Sequence, residues 1–438
     1  MNRRRFLSGL TAAALGAQPK RPNILLILAD DLGYECLSCY GSQTYKTPNL
    51  DRLAAEGMLF RYAFAQPLCT PTRMQLMTGK YNFRNWQAFG IMDPKERTFG
   101  HLFRENGYRT AIAGKWQFWS YNPPAFEPQW RGKGQRIEDA GFDEYAVWHA
   151  GHTEDKGSRY GNPTIYSNGA LQKNLTGQYG EDLFADFLLQ FVKKPDPKPW
   201  FAYWPLALTH DPFVPTPDTP EFQGPNRLKP DNRFFKDMVE YMDKVVGRVV
   251  SQLPPDTLIL FFSDNGTHQS ITSQLNGQPF PGGKGLTTEA GTRVPLLVRW
   301  KGVTPPGKTS DDLIDSCDFL PTLCAAAGIP TRGLGPLDGV SFLPQLQGRP
   351  GRPRPWIYSW YDPRPGADKE NWTRTQRCAF DHQWKLYDDG RLYHWARDPR
   401  ETTPVENPAV RARLQAVLTR YARQGGSREI PGTAAAAK

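Results

Sequence analysis

Several residue types and patterns are scarce in this chain, and their scarcity excludes whole classes of protein. The sequence has six cysteines in 438 residues, too few and too irregularly spaced for a disulfide scaffold. No apolar run approaches the ~20 residues that a membrane-spanning helix needs. Glycine is common but lacks the three-residue period of collagen, and no internal repeat is visible. The sequence therefore predicts a globular protein without a stable membrane anchor.

Basic and aromatic residues are what the chain has in plenty. Lys and Arg number 54 against 44 Asp and Glu, which gives a formal net charge of +10, and aromatic residues make up 13%. The aromatic and apolar content excludes wholesale disorder. The charge favours an anionic partner and leaves nucleic acid, a membrane surface and an acidic small substrate open.

Part of that charge lies at the start of the chain. Asn2–Leu7 contains three successive arginines and precedes the short apolar run Leu10–Ala17. This pattern is typical of an export signal, and the arginine pair before Phe6 and Leu7 resembles a twin-arginine signal. We expect residues 1–17 to be an export signal read by the export machinery, with a periplasmic or secreted product. A disordered basic start is the alternative.

The cysteines outside the candidate site described below have structural interpretations. Cys36 and Cys39 form a lone C-x-x-C pair without the further ligands of a zinc site, so a disulfide and two semi-buried thiols both remain open. Cys317 and Cys324 lie in an apolar helical pattern and predict core positions. Cys378 lies in a strand-like stretch.

Strand and helix patterns alternate over roughly 300 residues. Asn23–Ala29 is a continuous apolar run, which suits a strand buried on both faces of a parallel sheet. The alternation predicts an α/β fold in which helices sandwich a large mixed, mainly parallel sheet. Further strands are expected at Tyr108–Ala113, Trp200–Leu208, Thr257–Ser263 and Val294–Trp300, and helices at Thr47–Gly57, Glu181–Val192 and Arg233–Leu253.

A proline-rich stretch, Gln347–Pro355, marks a boundary late in the chain. Short β-like segments follow it, and Pro408–Ala422 has a helical pattern. These features predict a small C-terminal antiparallel β subdomain with a helix. We expect a main domain over residues 21–346, the small subdomain over 356–424 and a flexible tail over 425–438.

Two of the expected buried strands end in acidic or amide pairs. Asp30 and Asp31 follow the first strand, and Asp264 and Asn265 follow a later one. Ligands of open α/β sheets bind beyond the carboxyl ends of the strands, and an all-oxygen set suits Ca²⁺ or Mg²⁺. The pairs therefore predict a metal site. The alternative is that each pair caps the turn or helix that follows it.

A short motif places a cysteine beside an expected helix start. In Cys69-Thr70-Pro71-Thr72-Arg73, Thr70 is the expected N-cap and Pro71 the first helical residue, with Gly79 ending the helix. Cys69 would then precede a helix N-terminus, where an anion is favoured, and Arg73 would lie on the same side one turn later. The motif suggests a nucleophile and an anion cradle; a buried thiol with a surface arginine is the alternative.

These motifs together resemble the type I, formylglycine-dependent sulfatases of the alkaline phosphatase superfamily. The resemblance covers most of residues 21–405 and implies a sulfuric ester hydrolase. It rests on Asp30-Asp31-Leu32-Gly33-Tyr34, Cys39-Tyr40-Gly41, Thr47-Pro48-Asn49-Leu50-Asp51, Cys69-x-Pro71-x-Arg73 with Leu76-x-Thr78-Gly79, Gly107–Trp116, Ser263-Asp264-Asn265-Gly266, Lys284, Glu289-x-Gly291-x-Arg293-Val294-Pro295 and Arg391–Thr402.

The resemblance also implies roles for individual residues. A maturation enzyme would oxidise Cys69 to formylglycine, whose hydrated aldehyde is the nucleophile. Calcium is the usual ion, with Mg²⁺ possible, and its ligands would be Asp30, Asp31, Asp264, Asn265 and the matured Cys69. Arg73 would support the diol, Lys115 and Lys284 would neutralise the sulfate oxygens, and His210 would contact the sulfate and act as the general acid.

One position departs from the family pattern. After Gly114-Lys115-Trp116 the family usually has histidine, and this chain has Gln117. That histidine helps to release sulfate from the enzyme by taking a proton, and an amide cannot titrate. Gln117 is still expected to line the substrate site. Three consequences for the reaction stay open: another group or water takes the proton, turnover is slower, or the substrate differs.

Clues to the substrate are few. Aromatic residues and two histidines in expected loops could stack on sugar rings or simply pack, which favours a carbohydrate sulfate over an aryl sulfate. His149-x-x-His152 alone is weak support for zinc. The alternatives are a phosphodiester or phosphonate monoester hydrolase of the same fold, and a catalytically silent protein that binds sulfated glycans. No motif supports nucleic-acid binding. The aromatic residues and histidines concerned are Trp119, Tyr121, Trp130, Trp148, Tyr160, His149 and His152.

Overall fold

The computed structural model describes residues 21–119, 132–150, 156–362 and 375–424. The expected export signal at 1–17 and the expected tail at 425–438 lie outside the described residues, so both stay predictions. Within the described residues, no helix combines the length and the apolar character needed to cross a membrane.

The first strand shows why the sheet has a core on each face. Leu25, Ile27 and Ala29 point into one buried cluster, and the alternating residues Ile24 and Leu26 point into another. Side chains of a strand alternate between faces, so a continuous apolar run needs cover on both. The strands run in chain order as β1 (Ile24–Ala29), β2 (Met58–Phe64), β3 (Arg109–Lys115), β4 (Glu144–Trp148), β5 (Tyr166–Ser167), β6 (Ala170–Leu171), β7 (Trp200–Pro205), β8 (Leu258–Ser263), β9 (Thr272–Leu275), β10 (Gln278–Pro281), β11 (Arg293–Arg299), β12 (Lys308–Asp315), β13 (Ile357–Tyr361), β14 (Gln376–Phe380), β15 (Lys385–Tyr387) and β16 (Leu392–Tyr393).

The main sheet is mixed and mainly parallel. Its order is β12-β2-β11-β8-β1-β7-β3-β4-β5-β6. The central strands β8, β1, β7, β3 and β4 are parallel, whereas β11 and β5 run antiparallel to their neighbours. The carboxyl ends of the five central strands therefore meet at one edge, where the α/β rule places ligands.

Helices cover both faces of this sheet. Helices α1, α4 and α5 contribute to the cluster on one face, and α2, α3 and α7 to the cluster on the other. The helices are α1 (Pro48–Ala55), α2 (Cys69–Thr78), α3 (Phe99–Glu105), α4 (Gly180–Lys193), α5 (Phe234–Val250), α6 (Glu289–Thr292), α7 (Phe319–Ala327), α8 (Leu343–Leu346) and α9 (Pro408–Ala422).

The C-terminal part forms a second, smaller sheet. Strands β13, β14, β15 and β16 pair antiparallel in sequence order, and α9 spans the residues expected of it. Leu414 and Tyr421 of α9 share a buried cluster with Tyr358 of the small sheet and with Tyr81 of the main part. The predicted fold class is confirmed; the domain limits at residues 346 and 356 stay predictions.

Candidate active site

Two pairs of polar side chains meet at the carboxyl edge of the main sheet. Asp30 and Asp31 follow β1, and Asp264 and Asn265 follow its parallel neighbour β8. The register pairs the last residues of the two strands, so both pairs leave the sheet side by side. The backbone N–H of Asp31 donates to Oδ1 of Asp264 over 3.1 Å, and all four side chains are buried. The structure thus brings together the four residues expected to bind metal.

Cys69 lies against these carboxylates. Its Sγ and one carboxylate oxygen each of Asp30 and Asp264 lie within 4.8 Å of one another, and all three residues are buried. Arg73 follows one turn later in α2 and is 1% exposed, which excludes the surface arginine of the alternative interpretation. A candidate nucleophile therefore lies beside the candidate metal ligands.

The expected start of α2 is wrong. The helix begins at Cys69 with Leu68 as its N-cap, and Leu68 caps with no side-chain hydrogen bond. The Thr70 hydroxyl is engaged elsewhere, because it accepts a hydrogen bond from the backbone N–H of Gly90 over 3.2 Å. Cys69 is therefore in the first turn of the helix rather than before it, and Pro71 is the third helical residue.

Three cations pair with the three carboxylates. All three cations are largely buried, and the carboxylates are fully buried. Buried carboxylates need such partners, since an unpaired buried charge is costly. The pairs are Lys115 Nζ with both oxygens of Asp30 at 3.1 and 2.9 Å, Arg73 Nε and Nη2 with Oδ2 of Asp264 at 2.9 and 2.7 Å, and Lys284 Nζ with Oδ2 of Asp31 at 2.5 Å.

The three carboxylates still repel one another, although the three cations match their formal charge. Burial favours the neutral form of Asp30, but Lys115 and further cations hold its pKa well below the usual range. Burial and the charge of Asp30 raise the pKa of Asp264 to about 7, although Arg73 opposes the shift. A divalent cation between the carboxylates would offset this repulsion.

Asn265 gives a separate test of whether a metal fits. Its Nδ2 donates to Oδ1 of Asp31 over 2.8 Å and to the carbonyl oxygen of Gly266 over 2.9 Å. Its Oδ1 is buried and has no hydrogen-bond partner. A buried amide oxygen beside carboxylates matches the ligand preference of Ca²⁺ and Mg²⁺. The side chains present therefore fit a hard divalent ion.

His210 reaches the same edge from the segment after β7. Its Nε2 lies 3.1 Å from Nζ of Lys284 and 3.8 Å from Oδ2 of Asp31. Its Nδ1 lies 2.6 Å from the carbonyl oxygen of Asp211, which orients the ring with Nε2 towards the carboxylates. Burial lowers the pKa of His210, although Asp31 opposes the shift.

A cavity of about 570 Å³ opens over this cluster. Five residues expected in the site line it: Cys69, Lys115, Gln117, His210 and Lys284. Trp148 and His149 also line it, as do Lys156, Arg159 and Asp211, for which the sequence suggested no role.

The other expected substrate residues lie elsewhere. Tyr160 is buried beneath the cavity wall, with its hydroxyl donating to the carbonyl oxygen of Ala207 over 2.7 Å. The Trp119 ring packs under the guanidinium of Arg136. Tyr121, Trp130 and His152 lie outside the described residues.

The six cysteines are all described, and all are free thiols. Of the two interpretations left open for Cys36 and Cys39, the structure therefore has thiols and not a disulfide. Cys36 is buried beside Thr267, with Sγ 3.3 Å from Oγ1. Cys317 and Cys324 lie in the core and Cys378 in β14, as expected.

Comparison with known proteins decides the family. The family model described as Sulfatase matches residues 22–329, well over half of the chain. The chain belongs to the sulfatase family. The model described as N-sulphoglucosamine sulphohydrolase, C-terminal, matches residues 283–424. Hydrolysis of sulfate esters is therefore the activity of this enzyme.

Relatives and solved structures of similar sequence match most of the length of this sulfatase. N-acetylgalactosamine-6-sulfatase of Sus scrofa is 30% identical, with 90% of this chain and 84% of the relative covered. Arylsulfatase A of Homo sapiens is 32% identical over 81% of this chain and 73% of its own. The crystal structure of Ps i-CgsB in complex with k-i-k-neocarrahexaose is 26% identical, with a TM-score of 0.76 and 94% of each chain covered.

Gln117 of this sulfatase has an unusual setting. Gln117 and His149 follow the neighbouring strands β3 and β4, and both have left-handed backbones, with φ of 66° and 61°. Such conformations in residues other than glycine cluster at functional sites. The N–H of Gln117 donates to the carbonyl oxygen of His149 over 3.2 Å, and Oε1 of Gln117 is buried without a hydrogen-bond partner. Both residues also line the cavity, so the site contains an imidazole, which can exchange protons, as well as the amide that cannot.

Proposed function

We propose that this sulfatase cleaves a sulfate ester on a carbohydrate, with a formylglycine made from Cys69 and a divalent ion held by Asp30, Asp31, Asp264 and Asn265. One observation carries the proposal. Three buried carboxylates and a buried amide oxygen without a partner cluster below an open cavity, and the Cys69 thiol lies within 4.8 Å of two of these carboxylates. Calcium is the preferred ion, with Mg²⁺ the alternative.

The ion and the oxidised residue 69 together supply an activated oxygen nucleophile and positive charge beside the sulfate. The chain supplies the rest of the electrostatics. Lys115 and Lys284 line the cavity and bind sulfate oxygens, which stabilises the charge of the transition state. Arg73 is fully buried under them and holds Asp264 and the start of α2 in place. Gln117 lines the site as a hydrogen-bonding group.

His210 is the proton donor to the leaving alcohol. The Asp211 carbonyl holds Nδ1, so Nε2 points towards Lys284 and Asp31, where the ester would lie in this proposal. A sugar hydroxyl is a poor leaving group as an anion and needs this proton, whereas an acidic phenol does not.

Substitution of His210 therefore has a substrate-dependent effect. We expect His210→Asn to lower kcat about a hundredfold or more for a sugar sulfate and much less for 4-nitrophenyl sulfate. Steady-state rates on both substrates, with His268→Asn as the control at the cavity rim, measure the difference. Equal losses on the two substrates would remove His210 from the role of general acid.

The carbohydrate part of the proposal is supported by relatives and by the cavity wall. The named relatives include an N-acetylgalactosamine-6-sulfatase, and the solved structure of Ps i-CgsB is a complex with k-i-k-neocarrahexaose. The Trp148 ring lines the cavity, and a sugar ring can pack against an indole. The substrate is a small-molecule or oligosaccharide sulfate ester.

The remaining partners follow from the same chemistry. A formylglycine-generating enzyme oxidises Cys69, and residues 1–17 direct the matured, metal-loaded protein to the periplasm or outside the cell through the export machinery. Cys69 is buried in the folded protein, so its oxidation has to precede folding. Export of the folded protein suits such an enzyme.

The proposal is tested with the matured protein on defined substrates. Peptide mass first establishes the oxidation of Cys69, and sulfate release is then measured on a panel of sulfated saccharides. A bis-aryl phosphodiester and a phosphonate monoester are the comparison substrates. Faster turnover of the phosphorus esters would replace the sulfatase proposal with the hydrolase alternative, and binding of saccharides without turnover would indicate a silent glycan-binding protein.

A further inference from the structure

The floor of the cavity has the charge that one sulfate ester needs. A divalent ion together with Arg73 balances the three carboxylates expected to bind metal. Among the described residues that line the cavity, Asp211 is the one carboxylate, and Lys115 and Lys284 are the cations of the floor. The two lysines and Asp211 together carry one net positive charge, which matches the single negative charge of a sulfate monoester.

Two further cations line the same cavity on one wall. Arg159 and Lys156 precede Tyr160 in a segment that passes beside the carboxyl end of β4. The guanidinium of Arg159 stacks on the Trp148 ring at 4.0 Å from its centroid, and Nζ of Lys156 lies 5.9 Å from the same centroid. The wall therefore holds two positive charges beyond those that the scissile sulfate uses.

This wall is fixed in position by hydrogen bonds. The Trp148 indole N–H donates to the carbonyl oxygen of Gly157 over 3.1 Å, which ties the segment to β4. The buried Tyr160 hydroxyl donates to the carbonyl oxygens of Ala207 and His210, which ties it to the segment of the general acid. A cation held in place loses little freedom on binding an anion.

Arg159 has donor capacity to spare. Its Nη1 is buried and has no hydrogen-bond partner, and it lies 3.8 Å from Oδ2 of Asp30. Burial lowers the pKa of Lys156 to about 8, with the charges of Arg159 and Lys115 acting in the same direction. Both cations would be stabilised by an anion in the cavity.

We propose that the wall of Trp148, Lys156 and Arg159 binds a second anionic substituent, a carboxylate or another sulfate, on the saccharide beside the sulfate that is cleaved. This inference rests on the proposed function and narrows the substrate class to acidic saccharides with at least two anionic groups. The planar fork of Arg159 suits a carboxylate or a sulfate, because either offers two oxygens to it.

The test compares matched substrates. One saccharide carries a single sulfate ester, and two others carry in addition a neighbouring carboxylate or a second sulfate. We expect the wild-type enzyme to have at least about a tenfold higher kcat/KM for the doubly anionic substrates. Lys156→Gln should lower that ratio about tenfold, mainly through KM. Lys301→Gln is the charge-matched control, since Lys301 is exposed at the opposite edge of the sheet, and it should leave the ratio unchanged.

A binding measurement separates failure of the inference from failure of the proposed function. Calorimetry with the desulfated acidic saccharide reports the wall alone, and Lys156→Gln should weaken that binding. If no sulfated substrate is turned over but the acidic saccharide still binds in a Lys156-dependent way, the proposed function is overturned and the inference stands. Equal kcat/KM for all three substrates, or a ratio that Lys156→Gln does not change, would overturn the inference. The carboxylate and sulfate arms show which anion the wall prefers.

Discussion

Replacement of Cys69 by alanine is expected to reduce sulfate release by at least about a thousandfold. The thiol lies within 4.8 Å of the Asp30 and Asp264 carboxylates, where an oxygen on the same side chain would contact both the ion and the sulfate. Alanine cannot be oxidised to the aldehyde and offers no nucleophile. The measurement is sulfate release by wild type and Cys69→Ala on the best saccharide of the panel, with intact mass to report the state of residue 69.

Cys324→Ala is the matched control for this variant. Cys324 is also a buried free thiol, but it lies in α7 among apolar residues of the core. Its loss removes only packing and should leave most of the activity. Activity of Cys69→Ala equal to that of wild type would exclude a nucleophile at this position and favour the silent glycan-binding alternative.

The part of the site that could be predicted from sequence is the part fixed by strand ends. Asp30, Asp31, Asp264 and Asn265 follow continuous apolar runs, and the carboxyl ends of neighbouring parallel strands meet at one edge. The sequence pattern alone was sufficient to expect them together. The fold class follows from the same alternation of buried strands and helices.

The walls of the site could not be predicted in the same way. Arg159 reaches the cavity because Tyr160 is tied to the segment after β7, a contact between residues about fifty positions apart along the chain. No local pattern encodes such a contact. The start of α2 was missed for a related reason, since Gly90 engages the hydroxyl of Thr70 that local preference assigned to capping.

Chelation of the divalent ion is expected to abolish activity and to lower stability. The carboxylates of Asp30, Asp31 and Asp264 are fully buried side by side, and burial together with the charge of Asp30 raises the pKa of Asp264 to about 7. An ion that binds only the folded protein adds about 4 kcal/mol at a thousand times its Kd, which raises Tm by several degrees. The measurements are Tm and sulfate release after chelation and after addition of Ca²⁺ or Mg²⁺, which also ranks the two ions.

The variant Asp31→Asn separates loss of the ion from general damage. It removes one charged ligand, so the rise in Tm on adding Ca²⁺ should shrink and activity should fall at least about a hundredfold. Asp311→Asn, on an exposed side chain that pairs with Arg61, should keep both the Tm response and the activity. A chelated enzyme with full activity, or the same Ca²⁺ response in Asp31→Asn as in wild type, would rule out an ion held by this carboxylate. Without the ion, Asp31→Asn also removes the carboxylate that pairs with Lys284 at 2.5 Å, and an unpaired buried lysine is costly. Asp211 lies 3.5 Å from Lys284, and the loss of stability should be smaller if its carboxylate becomes the new partner of Lys284.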